Sequence, residues 1–246
     1  MSELEEEFRT RMEARRAAGL GPTGEQPPGD ECEYCHDRGV KSWGEEGSYY
    51  DVACPRCRRG MAVMGVPLRF RAARIGDFPR LTKEVTGWLE EEDPAVERRG
   101  WYIYGPPGIG KTHLAAALSR VAATHGLRAR FLHVAEYFDL LRQGIDDADT
   151  RLRARALNDQ LPTTDVVVLD DLGGEYLSGW GAERLLVLVN ALYNQGAMLI
   201  VTSNLTARKQ AERIDERTLS RIKGMTQSLE LGGVDRRIDP SAQRRA

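Results

Sequence analysis

Eight consecutive residues, Gly105-Pro106-Pro107-Gly108-Ile109-Gly110-Lys111-Thr112, put three glycines, a lysine and a hydroxyl into one short run. That is the P-loop spacing. Its glycines let backbone N–H groups turn toward phosphate oxygens, and a helix opening behind it adds positive potential. Lys111 is then placed to reach the β- and γ-phosphates, and Thr112 to ligate Mg²⁺. Further on, VVVLDD ends an apolar run in two carboxylates. Asp170 is expected beside the Mg²⁺ ligand shell and Asp171 where it can polarise an attacking water. The bland alternative for the pair is a solvated strand end. The chemistry predicted is ATP binding and hydrolysis with Mg²⁺.

A second constellation holds all four cysteines. Cys32-x2-Cys35 and Cys54-x2-Cys57 are separated by 18 residues, inside the spacing of a zinc site. Four thiolates complete a closed tetrahedral shell, so Zn²⁺ here would organise structure and not catalysis. Such a metal folds a segment too small to build its own core. His36 could replace one thiolate, and Fe–S or free thiols are the minor alternatives. Between the pairs, Trp43, Tyr49 and Tyr50 are expected on a hairpin with Gly44 and Gly47, either covering the metal or facing a partner.

These groups need a scaffold. The 246 residues suffice for one α/β domain and a smaller module. A net charge of -2 and a pI near 6.2 exclude a protein that coats nucleic acid by bulk electrostatics. There is no apolar run of the roughly 18 residues that a membrane span requires, and the start MSELEEEF does not resemble a signal peptide. A soluble, cytoplasmic chain is expected, where clustered cysteines bind metal more often than they form disulfides.

From Trp101 onward, strand and helix signals alternate. Strands are predicted at 101–104, 128–134, 165–171 and 197–204, with a last one near 228–231. Helices are predicted from Lys111 to Gly126, over 135–143, 150–160 and 183–195, and through a helical region at 207–224. Ahead of these lie a charged helix over residues 2–19, a Gly/Pro-rich linker and the cysteine module. The domains predicted are 1–64 (helix, linker and zinc module), 65–233 (ATPase core) and 234–246 (basic tail).

GPPGIGKTHLA, VVVLDDLGGE, LIVTSNL and DERTLSRI, in this order, resemble the AAA+ helicase-loader and initiator clade, which includes DnaC, DnaI, the IstB transposition ATPases and DnaA. The resemblance covers roughly residues 65–233. It implies a P-loop ATPase core with a parallel sheet sandwiched by helices, without a C-terminal lid. It implies that Asn204 is sensor 1, orienting water and γ-phosphate from the strand beside the P-loop strand. Arg221 would be an arginine finger acting in trans, with Arg217 its neighbour or alternative, which requires a homo-oligomer. His113 matches the clade's GKTH and would pack near the nucleotide. His125 and His133 read as structural. On 150–160, Arg151 and Arg155 share a face and Arg153 lies to the side. These arginines read equally as a solvated face or as a contact to single-stranded DNA. Tyr137 and Phe138 could stack on bases, but helical spacing favours the core.

Length after the core leaves no room for an initiator's helix-turn-helix. The function expected is an ATP-dependent loader that grips a DnaB-type hexameric replicative helicase through its zinc module and places it on single-stranded DNA. The alternatives are an IstB-like transposition helper and an adaptor latched by nucleotide with negligible turnover. Asp171, one methylene shorter than glutamate, makes slow turnover consistent with the last.

Overall fold

VVVL (166–169) and MLIV (198–201) are apolar at every position, as strands covered on both faces must be, and each strand turns polar only at its carboxyl end. The computed structural model describes residues 40–43, 50–53, 63–79, 81, 100–124, 127–173, 179–233 and 235–236. In it, β6 (Val166–Asp170) and β7 (Met198–Ser203) are buried throughout. With β3 (Val63–Met64), β4 (Gly100–Tyr104), β5 (Ala129–His133) and β8 (Thr226–Glu230) they make a six-stranded sheet in the order β3-β5-β6-β7-β4-β8. Every neighbouring pair in it is parallel.

Period-two alternation splits the sheet's side chains between two cores. Trp101, Ile103, Val166, Val168, Met198 and Ile200 face α1 (Lys111–Thr124) and its buried Leu114–Leu118 run. Tyr102, Val167, Leu169, Leu199 and Val201 face the opposite core, with residues from α2 (Val134–Gln143), α4 (Gly179–Asn194) and α6 (Glu216–Met225). The sandwiched parallel sheet is therefore as the sequence predicts. α3 (Ala148–Gln160) packs on α2, and its cap Asp147 accepts from the Thr150 N–H at 2.6 Å.

Three features differ from expectation. α4 starts at Gly179, four residues before Glu183, where two glycines, Gly179 and Gly181, interrupt any helical signal. The helical region over 207–224 is two helices, α5 (Ala207–Gln210) and α6. Ile214 is buried between them, and Asp215 restarts the helix by accepting from the Thr218 N–H at 3.0 Å. β3, two residues long, is too short to show a period.

An antiparallel pair, β1 (Val40–Trp43) and β2 (Tyr50–Ala53), forms the expected hairpin, with Trp43 opposite Tyr50. Cys32, Cys35, Cys54, Cys57, the N-terminal helix, His125 and the tail beyond Arg236 lie outside the described residues.

Candidate nucleotide site

The P-loop runs from the end of β4 into the first turn of α1, at the carboxyl edge of the sheet where ligands of parallel α/β folds bind. Gly108 and Gly110 have φ of 80° and 103°, a region costly for any side chain with a Cβ. These two positions give the loop its curl. Lys111 is 7% exposed, and its Nζ donates to the carbonyls of Gly105 (3.0 Å) and Pro106 (2.7 Å). The ammonium is thus held over the loop it serves.

Asp170 ends β6 two strands away and is 3% exposed. Burial pushes its carboxyl above the ordinary carboxylate range, while hydrogen bonds from Thr202 and Thr112 pull it back in part. The Thr112 bond joins the two residues expected in the Mg²⁺ shell, the P-loop hydroxyl and the strand-end carboxylate. Hard oxygen donors of this kind suit Mg²⁺.

Asp171 follows with φ 60°, the one left-handed residue other than glycine among those described. The turn is fastened from β7. Thr202 Oγ1 donates to Asp170 Oδ1 at 2.6 Å and accepts from the Asp171 N–H at 2.9 Å. Asn204 Nδ2 donates to Asp171 Oδ1 at 3.0 Å, and β7 lies directly beside β4. The family resemblance implies a place for Asn204 next to the reacting phosphate, and the structure sets it against the carboxylate meant to handle water.

A second layer holds that turn. The Gln210 side chain is fully buried and donates to the Leu172 carbonyl (2.9 Å) and Ser203 Oγ (2.7 Å). Arg213 Nη1 donates to the Gly173 carbonyl at 2.8 Å. Sequence reasoning missed Thr202, Gln210 and Arg213. Thr202 stood in the VTSN motif, whereas nothing local marks Gln210 or Arg213.

His113 sits where its neighbours suggest. It lies edge-on to Phe70 (6.1 Å) and Phe78 (5.6 Å), with Nε2 2.6 Å from Asp77 Oδ2. Burial raises the Asp77 carboxyl, but the His113 bond and the Arg74 N–H more than offset this and leave it below its ordinary value. Pro106 and Pro107 are exposed on the loop and Ile109 is buried beneath it. His133, opposite Asp170 in the β5–β6 register, has a buried Nδ1 without a hydrogen-bond partner.

Arg217 and Arg221 are on α6, where Thr218, Leu219, Ile222 and Met225 face inward. Arg217 is exposed and lines a cleft with Glu183, Asp215 and Glu216, and Arg221 Nη1 donates to the Arg217 carbonyl at 3.3 Å. The structure groups neither arginine with Lys111, Asp170 or Asp171 through any described bond.

The three α3 arginines separate. Arg151 holds the turn before its helix, donating to Gly144 O (2.8 Å) and Ile145 O (2.5 Å). All three are exposed, but that structural task sets Arg151 apart from Arg153 and Arg155. Tyr137 and Phe138 belong to the core, as helical spacing favours: both are buried, and the Tyr137 hydroxyl, pushed up to about 12 by burial, donates to Asn158.

Residues 97–222 match the family described as IstB-like ATP binding protein. DnaI, the replicative helicase loader of Bacillus subtilis, is 27% identical over 119 residues, 48% of this chain and 37% of its own. The chromosomal replication initiator DnaA of Bordetella petrii is 28% identical over 155 residues, 60% of this chain and 30% of its own. This chain therefore spans about a third of each relative. Among solved structures, the DnaC helicase loader superposes with TM-score 0.57 and 25% identity, covering 68% of this chain and all of that one. A DnaI structure superposes with TM-score 0.59 at 20% identity, covering 72% of this chain and 98% of its own, a likeness of fold.

Proposed function

Because the chain belongs to the family of IstB-like ATP binding proteins, we propose that it is an ATP-dependent loader of a replicative hexameric helicase. One observation carries the reading. Lys111, Thr112, Asp170, Asp171 and Asn204 converge at the carboxyl ends of three adjacent strands, β6, β7 and β4, on a sheet that superposes on the DnaC helicase loader. In this reading the P-loop amides and Lys111 hold the phosphates, and Thr112 and Asp170 hold Mg²⁺. The metal supplies charge neutralisation at the phosphates when bound. Asp171, steered by Asn204 and Thr202, takes a proton from the attacking water. Arg221 of one subunit completes the site of the next, and Arg153 and Arg155 face single-stranded DNA.

The grip is assigned to the front module, which ends ahead of β3 because Val63 and Met64, inside the predicted 1–64, pair with β5 in the core sheet, with Zn²⁺ on Cys32, Cys35, Cys54 and Cys57. Support comes from the donor set and from the hairpin. β1 and β2 pair Val40 with Ala53, so the chain enters the hairpin from the Cys35 side and leaves it one residue before Cys54. A thiolate shell of four closes such a hairpin without leaving an open coordination position.

A second reading is favoured by the matched family itself: an IstB-like transposition helper, which would engage a transposase. The deciding experiment mixes the purified protein and the host's replicative helicase with ATP and resolves complexes by size, before and after zinc is stripped. The loader reading expects a complex that Zn²⁺ removal abolishes and that Cys54→Ser lacks while keeping ATP affinity. No complex in either state overturns it in favour of the helper.

A further inference from the structure

The residues after β8 follow the P-loop glycine by glycine. The Leu231 N–H donates to the Tyr104 carbonyl at 2.8 Å, and a Cβ on Gly105 would run into the Leu231 carbonyl oxygen. A Cβ on Gly108 would run into the Asp235 carboxylate, and the Arg236 N–H donates to the Gly108 carbonyl at 3.0 Å. Beyond Gly110, the position of a Cβ lies 3.5 Å from both the Arg236 guanidinium carbon and the Phe78 ring. The same guanidinium covers the Phe78 ring at 4.8 Å. Three P-loop glycines thus face three successive parts of one strap, and the strap ends against the aromatic patch that flanks His113.

We infer that Asp235 and Arg236 belong to the nucleotide site, as a wall that discriminates by charge; this rests on the P-loop being an ATP site. The loop's amides and Lys111 attract polyphosphate. Asp235 sets its carboxylate against Gly108, midway along that loop. A carboxylate a few ångströms from the loop opposes a free polyanion more than one whose charge Mg²⁺ has partly neutralised. Arg236 acts at the other end: its flat guanidinium, over the Phe78 ring and beside the open side of Gly110, forms a face that a planar base can meet, which an ammonium would not reproduce. The pair therefore favours metal-bound nucleotide over bare ATP.

The alternative is that the contact only fastens the chain after β8. Charge distinguishes the two. One unit charge within several ångströms of a phosphate group in a largely solvated site changes affinity by roughly 3- to 10-fold, and salt screens that effect. Titration calorimetry on the full chain with ATP, in EDTA and in Mg²⁺, at low and high salt, reads it. Asp235→Asn should tighten ATP binding in EDTA at low salt by roughly 3- to 10-fold, with a smaller gain in Mg²⁺ or at high salt. Arg236→Ala should weaken ATP binding in every condition, and Arg236→Lys should not restore it. An Asp235→Asn effect that is absent, or equal in all four conditions, overturns the charge role. Full affinity in Arg236→Lys overturns the stacking face. Failure of the unaltered chain to bind ATP would instead remove the nucleotide-site reading beneath both.

Discussion

At the scale of single residues, the Thr202 hydroxyl has more consequences than its size suggests. Buried at 1% exposure, it donates to the Asp170 carboxylate and accepts from the left-handed Asp171 N–H, so one oxygen holds the first carboxylate and the backbone of the second. Thr202→Val keeps the shape and removes both bonds. Displacing a reacting group by about 1 Å can cost roughly 100-fold in rate, so turnover should fall about 10- to 100-fold with KM for ATP little changed, and Thr202→Ser should retain most of it. A Ser variant as slow as Val would show that packing, not the hydroxyl, matters. Asp170 makes a separate prediction. Its folded carboxyl lies above the ordinary value because of burial, so without metal the native state binds that proton more tightly than the unfolded chain. The ionised group then costs stability above its raised pKa, and the cost disappears as pH falls through it. Asp170→Asn keeps an acceptor for Thr202 and should raise the metal-free Tm at neutral pH by a few degrees, about 1 kcal/mol, with the advantage lost toward acid pH. The same variant should lose the Mg²⁺-dependent part of ATP affinity. Melting curves across pH check the first outcome and calorimetry the second.

At the scale of elements, the start of α6 rests on one capping group. Asp215 accepts from the Thr218 N–H at 3.0 Å and its hydroxyl at 2.6 Å. Burial raises the Asp215 carboxyl, yet these bonds outweigh it and leave it lowered. The cap's contribution is thus complete above the ordinary carboxylate value and lost as pH falls through the lowered one. Asp215→Ala should cost about 0.5–2 kcal/mol and speed hydrogen exchange in the first turn of α6, and Asp215→Asn should recover most of it. The strands and α1 were legible because their signals are local: unbroken apolar runs in β4, β6 and β7, and glycine spacing in the P-loop. The Asp215 restart was hidden because DERTLSRI continues a helical pattern, and only the buried Ile214 reveals the break. For the site, Lys111, Thr112, Asp170, Asp171 and Asn204 were legible as motifs. Gln210 and Arg213 were not, since their partners, the carbonyls of Leu172 and Gly173, lie far off in sequence and come near only when β6 and β7 pair. Asp235 and Arg236 read as a basic tail because charge alone carries no information about which surface it meets.

At the scale of the whole molecule, the question is whether one chain contains a complete hydrolytic site. Lys111, Thr112, Asp170, Asp171 and Asn204 assemble within the subunit. Arg221 lies on α6 and donates to its own helix, and α6 packs on α4. If Arg221 serves the neighbouring site, the contact between subunits is head-to-tail, which generates a ring or an open helix. Two inactive variants then complement each other. Lys111→Ala should lose nucleotide binding but keep its finger, and Arg221→Ala should bind ATP and lose turnover by about 10³-fold or more. In an equal mixture, a site is competent when an Arg221→Ala subunit, with its intact P-loop, meets the finger of a Lys111→Ala neighbour. Random assembly makes that roughly a quarter of sites, so phosphate release should recover to about that fraction of the unaltered protein. A finger acting in cis predicts no recovery at any ratio, because each variant lacks one half of every site that it forms. Size-resolved analysis of the same mixture, with differently labelled variants, shows whether mixed oligomers formed, so that absent turnover in a proven hetero-oligomer assigns Arg221 to its own subunit or to no site.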